Sequence, residues 1–298
     1  MMISLRDVTV RYCDTVAVDG ITLDLEPGKI YGLLGRNGSG KTSLLSVLAS
    51  YRRPSAGTVT IDGTDPFENS ALMRDTAFIR DSLDVTDQDR IAKVLDVAGR
   101  LRPTWDADYA EHLVDVFALE PRRRVSALSR GQRSSLGVVL GLAARAPLTI
   151  LDEVYLGMDA AARTAFYREL LGDYLAHPRT IILSTHLIEE VAGLFEQVIV
   201  IDRGRLLLHE DTDTFKARGV AVTGPAAAVE AFVAGRTVLS EQALGGVRQA
   251  TLYGALDHDE VVRAETAGLT LAPVGVQDLF VHLTSGAAEG TPRTEARR

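Results

Sequence analysis

The chain has 298 residues and a formal net charge of −8, and 46% of its residues are hydrophobic and 24% charged. This balance excludes a chain that is disordered throughout. No apolar run approaches the ~18–20 residues that a membrane-spanning helix needs, and we expect no secretion signal at the amino terminus. A single cysteine excludes an internal disulfide framework. The acidic balance disfavours nucleic acid as the main partner. Taken together, these features predict a globular cytoplasmic protein.

The first ~80 residues predict short strands around one helix. Residues 3–12 alternate apolar and polar side chains, and Gly20 predicts a turn before the next strand. A further turn at Pro27–Gly28 precedes a short apolar strand. Residues 43–51 have apolar positions at helical spacing, and residues 57–63 again alternate like a strand.

The middle of the chain changes character at about residue 85. Residues 85–145 predict amphipathic or apolar helices, separated at Pro103 and Pro121. Apolar runs at 148–153 and 180–186 follow, and they suit a parallel sheet that is buried on both faces. Residues 161–176 between them predict a crossover helix, and residues 197–210 predict a strand and turn.

A new pattern of alternating short strand-like and helical segments begins at about Val220. The segments from there predict the order β-α-β-β-α-β and a last helix, which is a split βαβ unit. The remaining tail, residues 285–298, has no periodicity and is predicted to be disordered.

The strongest motif is a glycine-rich loop that matches G-x-x-x-x-G-K-[ST] between a strand and a helix. Its glycines allow several backbone N–H groups to face one anionic ligand, and the following helix adds its positive end. Lys41 can reach the β- and γ-phosphates of a nucleotide, and the Thr42 hydroxyl can bind Mg²⁺. The predicted nucleotide-binding residues here are Gly35, Arg36, Asn37, Gly38, Ser39, Gly40, Lys41, Thr42 and Ser43.

Two adjacent acids, Asp152 and Glu153, end the apolar strand 148–153. Because a buried strand rarely ends in two acids without a cationic partner, we expect Asp152 to hold Mg²⁺. Glu153, one residue on, is predicted to polarise the attacking water. His186 ends the strand 180–186 at the same edge of the predicted sheet, where it could donate to a γ-phosphate.

A capped helix begins at Ser129 in the sequence Leu128-Ser-Arg-Gly-Gln132. Together with the glycine-rich loop, the Asp–Glu pair and the later histidine, in this order, it resembles the ATP-binding subunit of ABC transporters. The resemblance covers residues 1–215.

The resemblance implies further site residues. Tyr12 lies where the family places an aromatic ring against adenine. Ser129, Gly131 and Gln132 match the signature motif, usually LSGGQ, which meets the γ-phosphate of ATP held by the other subunit of a head-to-tail dimer. Tyr155-Leu-Gly-Met-Asp159 matches the loop that crosses the dimer interface.

The chain departs from the family pattern at two positions. Arg130 replaces a glycine of the signature, as LSRGQ in some members. Where the family usually has a Gln that touches Mg²⁺, this chain has Arg80-Asp81-Ser82. Asp81 is the best match there, and a carboxylate oxygen could still bind the metal.

The resulting prediction is an α/β P-loop NTPase with a small C-terminal α+β domain. A RecA-like core, a β-subdomain and a helical insert at about 85–145 form the cassette at 1–215, and the accessory domain spans 218–284. Residues 276–284 are similar to the SLEDVFLxLT ending of cassettes that drive exporters whose membrane subunits are separate chains.

The predicted function is hydrolysis of ATP, with Mg²⁺, that powers solute transport and, more narrowly, export. The resemblance implies a homo- or heterodimer of cassettes, docked through a membrane-spanning partner at the inner face of the cell membrane. One alternative is a soluble mechanical ATPase of the same family. Such proteins usually carry two cassettes or long coiled coils, which this chain lacks. Another is a catalytically quiet regulatory cassette, which the intact Glu153 disfavours.

Overall fold

The computed structural model describes residues 1–186 and 188–286. Contacts divide the chain into two compact units. Of the described residues, the first unit contains 1–186 and 193–209, and the second contains 188–192 and 210–286. Among the described residues, no helix is both long enough and apolar enough to cross a bilayer.

Strands and helices follow one another through both units. In chain order, up to the end of the six-stranded sheet, they are β1 (Ile3–Tyr12), β2 (Thr15–Leu25), β3 (Ile30–Leu34), α1 (Lys41–Leu48), β4 (Ala56–Ile61), α2 (Ser70–Arg74), β5 (Thr76–Arg80), α3 (Ile91–Leu101), α4 (Ala107–Val116), α5 (Arg130–Ala143), β6 (Leu148–Asp152), α6 (Ala160–Ala176), β7 (Thr180–Thr185), α7 (Ile188–Val191), β8 (Gln197–Asp202) and β9 (Arg205–Asp211). The remainder are α8 (Thr212–Lys216), β10 (Gly219–Pro225), α9 (Ala226–Val233), β11 (Val238–Leu244), β12 (Val247–Tyr253), α10 (His258–Thr266), β13 (Thr270–Pro273) and α11 (Val276–Gly286).

Two sheets organise the first unit. β1 pairs antiparallel with β2 and β4, whereas a six-stranded sheet has the order β5-β6-β7-β3-β8-β9 and is parallel from β5 to β8. β3, β6 and β7 are buried along their whole length, as a parallel sheet covered on both faces requires. One apolar core joins the two sheets and α1, with Leu25, Leu45 and Ile150 among its members.

The strand register sets the position of the functional site. Leu34 pairs with Thr185, and Asp152 pairs with Ser184, so β3, β6 and β7 end side by side. The residues that follow these strands therefore meet at one edge of the sheet, where ligands bind in open α/β folds.

The second unit has a four-stranded antiparallel sheet in the order β11-β12-β10-β13. Side chains from α9 and α10 pack on it in a separate core that includes Val222, Val229, Ala250, Leu252 and Ala264. The predicted order β-α-β-β-α-β plus a helix is confirmed for this part of the chain.

Some expectations differ from the structure. The turn predicted at Gly20 is wrong, because β2 continues through this residue. Gly20 has a φ of 65° and lies at a register shift, where Val8 pairs with Ile21 and Val10 with Val18, so it forms a bulge. The short helix α2, which buries no residue, was not predicted from the sequence. The predicted tail at 285–298 lies outside the described residues except for Ser285 and Gly286, which end α11.

Candidate functional site

The glycine-rich loop links β3 to α1 and curls through conformations that suit only glycine. Gly38 and Gly40 have φ values of 78° and 103°. A Cβ on Gly40 would lie 2.3 Å from the carbonyl oxygen of Ala17, and one on Gly35 would lie 2.2 Å from Ser39 Oγ. Ser39 Oγ is itself buried without a hydrogen-bond partner among the described residues. The loop therefore leaves donors available beside a close-packed backbone, which fits a bound phosphate group.

Lys41 is buried, and its ammonium group points toward the start of the glycine-rich loop. Its Nζ donates to the carbonyl oxygens of Gly35, at 2.8 Å, and Arg36, at 3.3 Å. It also lies 3.3 Å from Glu153 Oε1. The loop thus holds a positive charge at the place where the sequence predicts phosphates.

Asp152 ends β6 beside two hydroxyl groups. Thr42 Oγ1 donates to Asp152 Oδ2 at 2.7 Å, and Ser184 Oγ donates to Asp152 Oδ1. The described residues contain no cluster of three or more His, Cys, Asp or Glu side chains with metal-binding geometry. A site with few protein oxygens suits Mg²⁺, which is usually held by one or two carboxylates and completes its shell with water and phosphate.

Glu153 lies at the centre of the polar groups. Its backbone has a φ of 51°, in the left-handed region that non-glycine residues rarely adopt. Its Oε1 atom lies between Lys41 Nζ and His186 Nδ1, which is 3.4 Å away. The two predicted catalytic side chains, Glu153 and His186, are therefore adjacent.

The Tyr155 hydroxyl contacts the backbone at His186, which was not predicted from the sequence. The Tyr155 hydroxyl is hydrogen-bonded to Thr185 Oγ1 at 2.7 Å and accepts from the backbone N–H of His186 at 3.2 Å. The sequence does show a tyrosine close after the buried strand β6. It does not show the contact, because His186 is 31 residues away from Tyr155.

A pocket of about 440 Å³ collects most of the predicted nucleotide-binding residues. The half-exposed ring of Tyr12 lies on its wall, and the guanidinium of Arg52 lies 4.0 Å from the ring centroid. A hydrogen bond with the Ser43 side chain lowers the pKa of Tyr12. The pocket is lined by Tyr12, Ala17, Asn37, Gly38, Ser39, Gly40, Lys41, Thr42, Ser43 and Glu153.

The signature residues lie apart from that pocket. Ser129 caps α5, since its Oγ accepts from Gln132 N while Gln132 Oε1 accepts from Ser129 N, which is a capping box. Ser129 is exposed, and neither Gly131 nor Gln132 lines the pocket. The structure therefore does not bring these three predicted ATP-binding residues to the pocket that holds Lys41 and Thr42 in their own chain.

Asp81 directly follows β5 and contacts the signature. Its Oδ2 atom lies 2.9 Å from Arg130 Nη2, and its Oδ1 atom is buried without a hydrogen-bond partner among the described residues. The metal role of Asp81 stays a prediction, and the partner that the structure gives it is Arg130.

Comparisons with known proteins agree with this geometry. A family model described as "ABC transporter" matches residues 18–155. The taurine import ATP-binding protein TauB of Pseudomonas syringae pv. tomato is 33% identical over 71% of this chain and 84% of its own length. A Nod factor export ATP-binding protein I of Burkholderia pseudomallei is 28% identical over 95% of this chain and 96% of its own.

Solved structures share the fold. An ATP-binding subunit of an ABC transporter aligns with a TM-score of 0.66 and 21% identity over 72% of this chain and 92% of its own. A dimeric ATP-binding cassette in a post-hydrolysis state, bound to ADP and Pi, aligns with a TM-score of 0.63 and 18% identity over 70% of this chain and 98% of its own.

Proposed function

This chain belongs to the ABC transporter family as an ATP-hydrolysing subunit, and from that premise we propose that it powers export through a separate membrane-spanning partner. The observation that carries the ATP-driven part of the proposal is the edge where β3, β6 and β7 end, because there one pocket holds Lys41, Thr42 and Glu153. Asp152 lies behind this pocket, hydrogen-bonded to Thr42.

Each side chain has a role that follows from its contacts. Lys41 binds the β- and γ-phosphates, and the loop N–H groups surround them. Thr42 and Asp152 would hold Mg²⁺, which neutralises phosphate charge when bound. Glu153 takes a proton from the attacking water, and His186, whose backbone N–H donates to the Tyr155 hydroxyl, lies beside it.

Hydrolysis by this mechanism needs a second cassette. The exposed Ser129 and the partly buried Gly131 and Gln132 lie away from the pocket of their own chain. In a head-to-tail dimer they would complete the γ-phosphate site of the partner, with N–H groups at the start of α5 directed at the phosphate. The dimeric relative bound to ADP and Pi supports this arrangement by analogy.

The direction of transport is inferred from the C-terminal part of the chain. The Nod factor export protein of Burkholderia pseudomallei aligns along 95% of this chain. The match to an exporter-type relative thus extends through the region of β10 to α11, which includes the exporter-like segment at 276–284. This near-full-length match to an exporter-type relative supports export.

A groove beside the helical insert is the proposed contact surface for the membrane partner. It has a volume of about 610 Å³ and lies between β5 and α3, with Leu83, Val94 and Val97 on its walls. Tyr51 and Leu101 at its rim are more than half exposed. Exposed apolar side chains around a concave surface are typical of a site that receives an apolar protein segment.

The test is reconstitution of the chain with the membrane protein that co-purifies with it. We expect ATP hydrolysis to rise in the reconstituted complex and ATP to drive solute into inverted vesicles, which corresponds to export. Leu101→Asp should weaken assembly, because it places a charge on the groove. Leu175→Asp is the matched control, since Leu175 on α6 is equally exposed but lies outside the groove. Equal assembly by both variants, or transport out of inverted vesicles, would contradict the proposal.

A further inference from the structure

The two positions at which this chain departs from its family are bonded to each other. Arg130, in place of a signature glycine, lies 2.9 Å from Asp81, which stands where the family usually has Gln. The residues are 49 positions apart in the sequence. Since glycine has no side chain, a signature of the usual LSGGQ type cannot make this contact.

The stem of Arg130 also packs against the Glu153–Asp159 loop. A Cβ on Gly157 would lie 2.8 Å from Arg130 Cγ and 3.0 Å from its Cδ. Gly157 has a φ of 90°, which again suits glycine. The Arg130 side chain therefore passes so close to Gly157 that a Cβ there would have no room, and its guanidinium then reaches Asp81.

Two more contacts join α5 to the same loop. Ser134 Oγ donates to the carbonyl oxygen of Leu156 at 2.5 Å, and a Cβ on Gly131 would lie 2.6 Å from the carbonyl oxygen of Gly157. The first two turns of α5 thus pack against the Glu153–Asp159 loop. A shift of α5 would have to move this segment or break these contacts.

The position of Arg130 gives the pair its functional meaning. It is the first residue of α5, between Ser129 and Gly131, so its side chain leaves the helix within the signature itself. Asp81 follows Arg80, which pairs with Asp152 across β5 and β6. The pair consequently connects the strand ends at the ATP pocket to the signature of the same chain.

The pair is too exposed to matter much for stability. The Arg130 side chain is 66% exposed and that of Asp81 is 35% exposed. Exposed ion pairs contribute little to the free energy of unfolding. A bond of this kind can still bias the orientation of the first turn of α5, which also packs against the Glu153–Asp159 loop.

We propose that Asp81 and Arg130 act as a pair of positioning residues that orients the signature residues Ser129–Gln132, and that Asp81 affects hydrolysis through Arg130 rather than as a metal ligand. The proposal rests on the proposed function, in which the signature completes the ATP site of the second cassette.

The first test is a double-mutant cycle on ATP hydrolysis with Asp81→Ala, Arg130→Ala and both together. We expect each single variant to lower kcat by about threefold to tenfold with little change in KM, and the double variant to be no slower than the slower single variant. The exchanged pair, Asp81→Arg with Arg130→Asp, should recover part of the lost rate. Multiplicative losses in the double variant would overturn the proposal.

A matched control comes from a neighbouring ion pair. Asp87 lies, like Asp81, in the segment between β5 and α3, and its Oδ1 atom is 2.8 Å from Arg133 Nη1. Arg133 lies on α5 about one turn after Arg130. Asp87→Ala should therefore leave kcat near the wild-type value. A loss as large as that of Asp81→Ala would mean that any ion pair here has the effect, which contradicts a specific role for Arg130.

Titration with Mg²⁺ separates positioning from metal binding. In the proposed role, Asp81→Ala and Arg130→Ala leave the half-saturating Mg²⁺ concentration of hydrolysis unchanged. A several-fold increase for Asp81→Ala alone would show that Asp81 acts at the metal, and would overturn the proposal.

Hydrogen exchange tests the pair independently of hydrolysis. Amides at 130–135 and 154–158 should exchange several-fold faster in Asp81→Ala than in the wild type, and not in Asp87→Ala. Unchanged exchange in Asp81→Ala would overturn the proposal. If the wild-type chain failed to hydrolyse ATP at all, the proposed function would be wrong, and this measurement would still decide whether the pair orients the signature.

Discussion

Glu153 Oε1 lies 3.3 Å from Lys41 Nζ, so the carboxylate proposed to activate water is paired with the lysine proposed to bind phosphate. His186 Nδ1 lies 3.4 Å from the same oxygen. A γ-phosphate at Lys41 would compete with Glu153 for the ammonium group and leave the carboxylate available as a base. Binding of ATP and activation of the base are therefore expected to be coupled through one ion pair.

Lys41 and Ser129 should fail in different ways when replaced. Lys41→Ala removes a charged donor from the pocket and should weaken ATP binding by roughly 10- to 100-fold. Ser129→Arg should leave binding to the isolated chain intact and block hydrolysis, because Ser129 acts on the ATP of the second cassette. Equilibrium binding of a fluorescent ATP analogue, together with kcat, distinguishes the two. Equal losses of binding would contradict the composite site.

Tyr12 is expected to determine ATP affinity through its ring. Stacking of a base on an aromatic ring contributes about 1–3 kcal/mol, so Tyr12→Ala should raise Kd for ATP by roughly 5- to 150-fold. Tyr12→Phe keeps the ring and loses the hydrogen bonds of the hydroxyl with Ser43 and Arg52, so its Kd should stay near the wild-type value. Titration calorimetry with ATP gives both constants. A large effect of Tyr12→Phe would assign the role to the hydroxyl instead.

Gly157→Ala should impair both stability and hydrolysis. The positive φ costs a non-glycine residue about 1–2 kcal/mol, and the new Cβ would collide with the Arg130 stem. Gly28→Ala is the control for the backbone alone, since Gly28 has a φ of 76° and open space around its Cβ position. Calorimetry should show a lower Tm for both variants, whereas kcat should fall only in Gly157→Ala. An unchanged kcat in Gly157→Ala would contradict the proposed positioning role of Arg130.

Local patterns were sufficient to predict much of this molecule. The glycine-rich loop, the buried strand that ends in Asp152, and the strand before His186 each have a short sequence signal, and the predicted family, fold class and ATPase activity are confirmed. The alternation of strands and helices after Val220 was equally predictable. These features depend on residues that are close in sequence.

The remaining features depend on residues that are distant in sequence. The Asp81–Arg130 pair and the contact between Tyr155 and the backbone of His186 arise only when separate strands and helices meet. The bulge at Gly20 was missed for a different reason, because a glycine inside an alternating pattern predicts a turn and a bulge equally well. Because β2 pairs with β1 on both sides of Gly20, this glycine forms a bulge and not a turn.

The most direct test of the account is the turnover of Glu153→Gln, measured beside its ATP affinity. Removal of a general base should lower kcat by about 10²- to 10⁴-fold. Binding should persist, because Lys41 keeps its position over the loop through Gly35 and Arg36. The variant should also accumulate as an ATP-bound dimer on size exclusion. Undiminished hydrolysis in Glu153→Gln would contradict the central claim that this carboxylate activates the attacking water.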